Sequence, residues 1–380
     1  MMVHRTLEFP STSCFVFGPR MTGKTTLLRA EKCQAFYDLL DPVQELAYSR
    51  NPGLFGQEME ALPPGSTIIL DEIQKAPSLL NYVQIGIDRF RHRFILSGSS
   101  ARKLKRGGAN LLGGRALDLR LHPFTSTELG AGFDLHQALH FGTLPHVAMC
   151  LREQSEEVAR RFLMSYVTTY LKEEIQAEAL TRKLGAFQRF LAVAAQSNGQ
   201  MMEYASIARE CSVPASTVKE YFQILEDTLV GSFLWPHDRS ERLKARPKFY
   251  FFDCGVLRSI QNRLHDPATP LEKGCLFETW FINELRRIRD YSSRQHEFSL
   301  WRERDREIDV LVSGGHGPLA AFECKSGQAE LKPAVIERFR QAFPSTPLIV
   351  ASLVDERPRV HHGVRILPWR DALEYYRRDL

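Results

Sequence analysis

Short apolar runs punctuate the first third of the chain. CFVF (14–17), TIIL (67–70) and FIL (94–96) have the length of buried strands, and each closes on glycine, acidic or small polar residues. From 150 to 196 the period changes. LREQSEEVARRFLMSYVTTYLKEEIQ places apolar residues three to four apart, which predicts a charged, amphipathic helical block, a lid or connector in which Phe162, Tyr166 and Tyr170 serve packing. The next stretch predicts a short helix from Tyr204 to Cys211, a turn at Ser212-Val213-Pro214, and a longer helix beginning at Ala215 or Ser216. Val218, Phe222, Leu225 and Leu229 line one face of that longer helix. This is helix-turn-helix spacing, and the β-rich stretch up to RPKFYFFD can form a wing. Further on, RDREIDVLVSGGHGPLAAFECKSG is two apolar runs joined by a glycine-rich turn, the pattern of a hairpin.

Composition narrows the class. The 380 residues are 43% hydrophobic and 25% charged, ordinary values for folded protein in two or three domains. No apolar stretch approaches the ~20 residues of a membrane span, and MMVHRTLEFPSTSCFVFG lacks the layout of a signal peptide. Seven scattered cysteines without a CxxC pair point to neither zinc nor a disulfide framework, so the expected setting is a reduced cytoplasm without a membrane partner. Net charge is +5, yet Arg89, Arg91, Arg93, Arg102, Lys103, Lys105, Arg106 and Arg115 fall between Asp88 and Asp118 with no acidic residue among them. A solvated basic face is one reading of that run; phosphate contact, on nucleotide or nucleic acid, is the other.

Chemistry enters at GPRMTGKTT (18–26). Gly18, Pro19, Arg20 and Gly23 build a loop whose N–H groups can turn inward around phosphates, ahead of a helix start. Lys24 is placed for the β/γ-phosphates, the Thr25 hydroxyl for Mg²⁺, and Thr26 completes the nucleotide-binding set at the helix start. STIILDEIQKAP ends a strand on Asp71-Glu72, a pair suited to hold Mg²⁺ and to polarise an attacking water. RFILSGSS offers Ser97 or Ser99 as a γ-phosphate sensor, or simply a strand and its turn. Arg115, after two glycines, reads either as a surface arginine or as a finger reaching a neighbouring subunit's phosphate, which requires a homo-oligomer.

The C-terminal hairpin poses a different question. Glu323 and Lys325 are two apart in an otherwise greasy strand and share one face. Asp309, on the preceding strand, lies opposite them if the runs pair. An Asp followed by ExK is the arrangement of metal-dependent nucleases, in which two carboxylates bind Mg²⁺ and the lysine orients water or steadies charge at the phosphate. In KGCLFETWFINELRRIRDY, Glu278 has Phe281 and Ile282 at i+3 and i+4, so it tends to the packed side and needs a partner. Glu278, Asp309 and Glu323 are therefore the candidate metal ligands beside Lys325, with Arg306 and Glu307 as competitors; a structural salt-bridge group is the alternative.

Taken in order, GPRMTGKTTLL, ILDEIQKAP, RFILSGSS, LLGGR, LHPFTSTEL, FGTLPHV, GCLFETWFINEL, EIDVLV and FECKSG resemble a family of prokaryotic ATPases across nearly the whole chain. Met21 and Thr22 depart from that family's usual loop, at variable positions. The resemblance implies an α/β protein: an AAA+-type P-loop domain with a parallel sheet (1–135), a helical lid or connector (136–196), a winged-helix region (197–255) and an α/β restriction-endonuclease-like domain similar to PD-(D/E)xK nucleases (256–380). It implies ATP and Mg²⁺ as cofactors, Lys24, Thr25, Asp71 and Glu72 as the ATPase residues, and Glu278, Asp309, Glu323 and Lys325 as the nuclease-like set; the expected partner is nucleic acid, with DNA the first candidate. Three functions compete: an ATP-hydrolysing enzyme that cleaves nucleic acid, a nucleotide-switched DNA-binding regulator, and an ATPase that remodels a protein partner.

Overall fold

The computed structural model describes residues 3–99, 112–171, 184–237, 246–328 and 330–380. Arg102, Lys103, Lys105 and Arg106 of the basic run, and the Tyr170 side chain, lie outside them. The chain forms two compact units, the first comprising Met1–Phe124, Leu144–His146 and Ile224–Val230, the second Thr125–Thr143, Val147–Gln223 and Gly231–Leu380.

The first unit is built on a parallel sheet of β1 (Cys14–Phe17), β2 (Ala35–Asp38), β3 (Thr67–Asp71), β4 (Arg93–Gly98) and β5 (Leu117–Arg120), in the order β2-β3-β4-β1-β5. Strands buried on both faces need no polar alternation, which is why β1, β3 and β4 read as continuous apolar runs. Phe15, Ile68, Leu70, Phe94 and Leu96 form its core with Phe55 and Val83 from the helices Pro52–Glu60 and Leu79–Phe90. Helix α1 (Lys24–Ala30) follows β1 directly. The order sets β4 between β1 and β3, so the loops leaving β1, β3 and β4 emerge together at the carboxyl edge.

In the second unit, the helix Tyr204–Cys211 is joined by a short turn, with Ser212 in the left-handed region, to a helix that begins at Ala215. Val218, Phe222 and Leu225 are fully buried. Phe222 packs edge-on to Phe190 and Phe249, at 4.8 and 4.9 Å between ring centres. The strands β6 (Gly231–Leu234) and β7 (Lys248–Phe251) pair antiparallel after it. A six-stranded mixed sheet follows, from β8 (Glu297–Glu303), β9 (Arg306–Gly314), β10 (Gly317–Lys325), β11 (Leu348–Ser352), β12 (Arg359–His361) and β13 (Val364–Pro368), ordered β12-β13-β11-β10-β9-β8. β9 and β10 are the hairpin, closed where Gly317 takes φ 114°. The long helix Pro270–Tyr291 covers β10, with Phe281 against Phe322.

Several family-motif residues prove to be joints of this unit. Thr125 and Glu128 form a reciprocal cap on the short helix Ser126–Leu129. Glu284, fully buried, accepts from the Ser126 backbone N–H and hydroxyl, each at 2.6 Å, and pairs with Arg287 at 3.2 Å. Asp253 caps the helix Cys254–Ile260 and accepts from the Thr143 N–H at 2.8 Å. Among the described residues no helix is long and apolar enough to cross a membrane.

Candidate functional site: a phosphate loop and a carboxylate–lysine cluster

The loop after β1 wraps tightly. A Cβ at Gly18 would come within 2.3 Å of the Leu121 carbonyl oxygen, and Gly23 takes φ 90° as it enters α1, so neither position accommodates a side chain. Thr22 is buried and donates to the Pro19 carbonyl at 2.9 Å, which gives this chain's departure at that position a structural use. Lys24 is 6% exposed and donates to the Gly18 and Pro19 carbonyls at 2.8 and 3.2 Å. Arg20 is half-buried and Thr26 exposed. An arginine from outside the motif reinforces the loop: Arg5 donates to the Thr22 and His122 carbonyls and lies over the Phe124 ring.

The acidic pair ends β3 next to that loop. Asp71 is fully buried, and burial pushes its carboxyl up from the ordinary value while the Ser97 and Thr25 hydroxyls draw it back. Ser97 donates to Asp71 Oδ1 and accepts from the Glu72 N–H at 2.9 Å. Asp71 Oδ2 is buried and accepts no hydrogen bond. An orphaned carboxylate oxygen beside a threonine hydroxyl suits a hard cation such as Mg²⁺, so Thr25 and Asp71 fit that ion. Glu72 sits in the left-handed region, φ 60°, and Gln74 donates to its Oε2 and to Ser99 at 3.4 Å. Such backbone strain is held only where the surroundings insist on it.

At the other candidate site the structure brings Glu278, Asp309, Glu323 and Lys325 into one cluster. The hairpin sets Asp309 against Glu323: the Asp309 N–H donates to Glu323 Oε2 at 3.2 Å and the Cys324 N–H to Asp309 Oδ2 at 2.8 Å. Lys325 reaches Glu323 Oε1 at 2.7 Å. The centre belongs to Lys248, the first residue of β7. Its Nζ lies 2.9 Å from Glu278, 2.5 Å from Glu307 and 3.7 Å from Asp309, and Tyr250 donates to the same Glu278 oxygen at 2.5 Å. Burial works against the Lys248 ammonium, but Glu278, Asp309 and Glu307 outweigh it and hold its pKa above the ordinary value. Burial, then the charges of Glu278 and Glu323, lift Asp309 well above the carboxylate range; Glu323 is raised by burial and partly restored by Lys325. Among the described residues no three His, Cys, Asp or Glu side chains are arranged to hold a metal ion. The expected metal set of Glu278, Asp309 and Glu323 therefore does not fit a metal in this arrangement, because an ammonium already lies among the oxygens.

Comparison with known proteins separates the two sites. Residues 11–130 match the family model of an AAA domain. The first unit is thus an AAA-type P-loop domain with a parallel sheet. Residues 132–266 and 273–372 match two models described as domains of unknown function, DUF8612 and DUF4143. Relatives over most of the length are the uncharacterized protein Mb2031c of Mycobacterium bovis and the uncharacterized protein Rv2008c of Mycobacterium tuberculosis, each 26% identical over 350 residues, covering 89% of this chain and 75% of the relative. Similar solved structures include the Aeropyrum pernix Orc1 protein in complex with DNA, at 13% identity and TM-score 0.29, covering 68% of this chain and 88% of that one. Another is the replication initiator DnaA bound to AMPPCP and single-stranded DNA, at 15% identity and TM-score 0.28, covering 58% and 83%. Likeness at that level transfers neither fold detail nor activity.

Within the AAA domain the expected residues divide. Gly18, Pro19, Gly23, Lys24, Thr25, Asp71, Glu72 and Ser97 gather at the carboxyl edge, where β1, β3 and β4 end. Ser97 spends its hydrogen bonds on the acidic pair, a role the sequence did not suggest beside the γ-phosphate sensor and the plain strand turn. Arg115 is elsewhere: it precedes β5 at the amino edge, beside the start of β1, and pairs with Asp88 at 2.9 Å. Gln74 was not singled out, although it stands two residues beyond Glu72 in the same motif. Lys248 was also missed, and its signal was of the kind that exposed Lys325, a charge at one end of an otherwise apolar strand.

Proposed function

We propose that this chain binds and hydrolyses ATP at the AAA domain's carboxyl edge. The observation that carries the reading is the buried, hydrogen-bond-free Asp71 Oδ2 beside Thr25, at the mouth of a loop into which Lys24 projects. Lys24 and the loop N–H groups hold the phosphates, and Thr25 and Asp71 hold Mg²⁺, which supplies charge neutralisation when bound. Glu72, backed by Gln74, accepts the proton of the attacking water. Purified protein with Mg²⁺ and ATP tests this: Glu72→Gln should keep nucleotide binding and lower turnover by about 10²–10⁴-fold. Turnover unaffected by that change would refute the assignment.

A second reading, that the chain acts on nucleic acid, is supported by the helix–turn–helix of Tyr204–Cys211 and Ala215–Asp227 followed by the paired strands β6 and β7. Its second helix carries Glu220, Glu226 and Asp227 against Lys219, so backbone contact must come from other surfaces. Retardation of duplex DNA that weakens steeply with salt is the expected result. Binding indifferent to salt would point to a protein partner instead.

A further inference from the structure

We propose that Lys248 takes the place of a divalent cation in the C-terminal cluster, so that this nuclease-like arrangement carries its own cation and does not recruit Mg²⁺ or Mn²⁺. The proposal deepens the D…ExK reading of Asp309, Glu323 and Lys325 and is independent of the ATPase reading.

Position argues first. Lys248 touches carboxylates from two directions, Glu278 on the long helix and Glu307 and Asp309 on β9, within 2.5–3.7 Å. A divalent ion bridging the helix and the hairpin would need those same oxygens. Confinement argues second. Lys248 is 5% exposed and fixed in β7, paired across to Leu234 and bridged to Met201, so its side chain has no solvent into which to swing. A metal entering beside it would face a like charge at contact distance in a poorly screened site. The carboxylate geometry is third. Asp309 Oδ2 and Glu323 Oε2 accept from backbone N–H groups, and Glu323 Oε1 from Lys325, so oxygens that a metal would recruit are already satisfied within the chain. Tyr250 adds a neutral donor to Glu278, on the oxygen that Lys248 also holds. Together these make a cluster held from inside, in which Lys325 bonds the ExK glutamate, Lys248 touches Glu278, Glu307 and Asp309, and Arg302 shares Glu307.

The test is Mn²⁺ binding to the full chain without nucleotide, read from the loss of the free-ion spin-resonance signal. Wild type should show no site that depends on Asp309 or Glu323. Lys248→Met should gain one site per chain, and Lys248→Met combined with Glu323→Gln should lose it; Mn²⁺ held at the phosphate loop would survive Glu323→Gln and is told apart that way. Lys248→Arg, which keeps the cation, should behave as wild type. A wild-type site abolished by Glu323→Gln overturns the proposal, whether or not any Lys248 variant folds. So does a folded Lys248→Met, by circular dichroism, that binds no additional ion. Where Lys248→Met alone does not fold, the paired change Lys248→Met with Glu307→Gln lowers the cluster's excess negative charge, and the gain of a Glu323-dependent site is read in that variant.

Discussion

Two lysines of this chain are almost equally buried, Lys24 6% and Lys248 5% exposed, and the groups they hold differ. Lys24 donates to backbone carbonyls of its own loop, beside an aspartate with one oxygen left unanswered. Lys248 is ringed by carboxylates of the chain. A buried charge is expensive until something neutralises it. In the AAA domain the unanswered Asp71 oxygen calls for an outside cation. In the other unit the chain supplies both signs itself. Charged residues in apolar strands therefore do not by themselves mark a ligand site; what decides is whether their partners are internal.

The contrast can be broken most sharply at the lysines. Lys24→Ala should abolish ATP turnover, a loss beyond about 10²-fold, as for removing a single charge-stabilising donor. Its cost in folding should stay near the ~1 kcal/mol of each lost hydrogen bond. Lys248→Met should do the reverse. Leaving Asp309 buried and Glu278 half-buried without this cation costs about 3–5 kcal/mol in denaturant unfolding, while ATP turnover of the folded fraction holds. Equal loss of turnover in both variants would dissolve the distinction.

Gln74 sharpens the picture on the AAA side. It restrains Glu72, whose backbone is already in a strained region, and its own Oε1 is buried without a partner. Gly98 permits this, since a Cβ there would come within 2.9 Å of that oxygen. Gln74→Ala should lower kcat by about 10- to 100-fold with KM nearly unchanged, the signature of a misplaced catalytic group. A change confined to KM would assign Gln74 to nucleotide binding instead.

What could be read from the sequence follows from how far apart the partners are along the chain. The loop and the acidic strand end are runs of adjacent residues, so local pattern placed Lys24, Thr25, Asp71 and Glu72 on the right elements. The hairpin was equally local, and Asp309 met Glu323 as alternation required. Lys248 stands 30 residues before Glu278 and 61 before Asp309, counted along the chain, on a strand read as part of a wing. No periodicity connects them; only the packing of β7 against the helix and hairpin does. Glu284 was equally hidden, because its partner Ser126 is 158 residues away.

Arg115 carries the smallest expected effect, and strand register explains why. β5 runs parallel to β1, with Cys14 opposite Leu117 and Phe17 opposite Arg120. The phosphate loop leaves the Phe17 end, so Arg115 stands at the far end of the sheet from Lys24 and cannot serve its own chain's nucleotide. Its bond to Asp88 is exposed on both sides, and such pairs contribute about 0–1 kcal/mol. Arg115→Ala should therefore shift unfolding by no more than that and leave ATP turnover within a factor of two or so of wild type. A finger acting across a subunit boundary would behave otherwise: turnover would fall by about 10³–10⁵-fold. Mixing Arg115→Ala with Lys24→Ala chains would then restore part of it, because each mixed boundary could pair an intact loop with an intact arginine. Turnover measured against protein concentration, with and without that mixture, decides between the two.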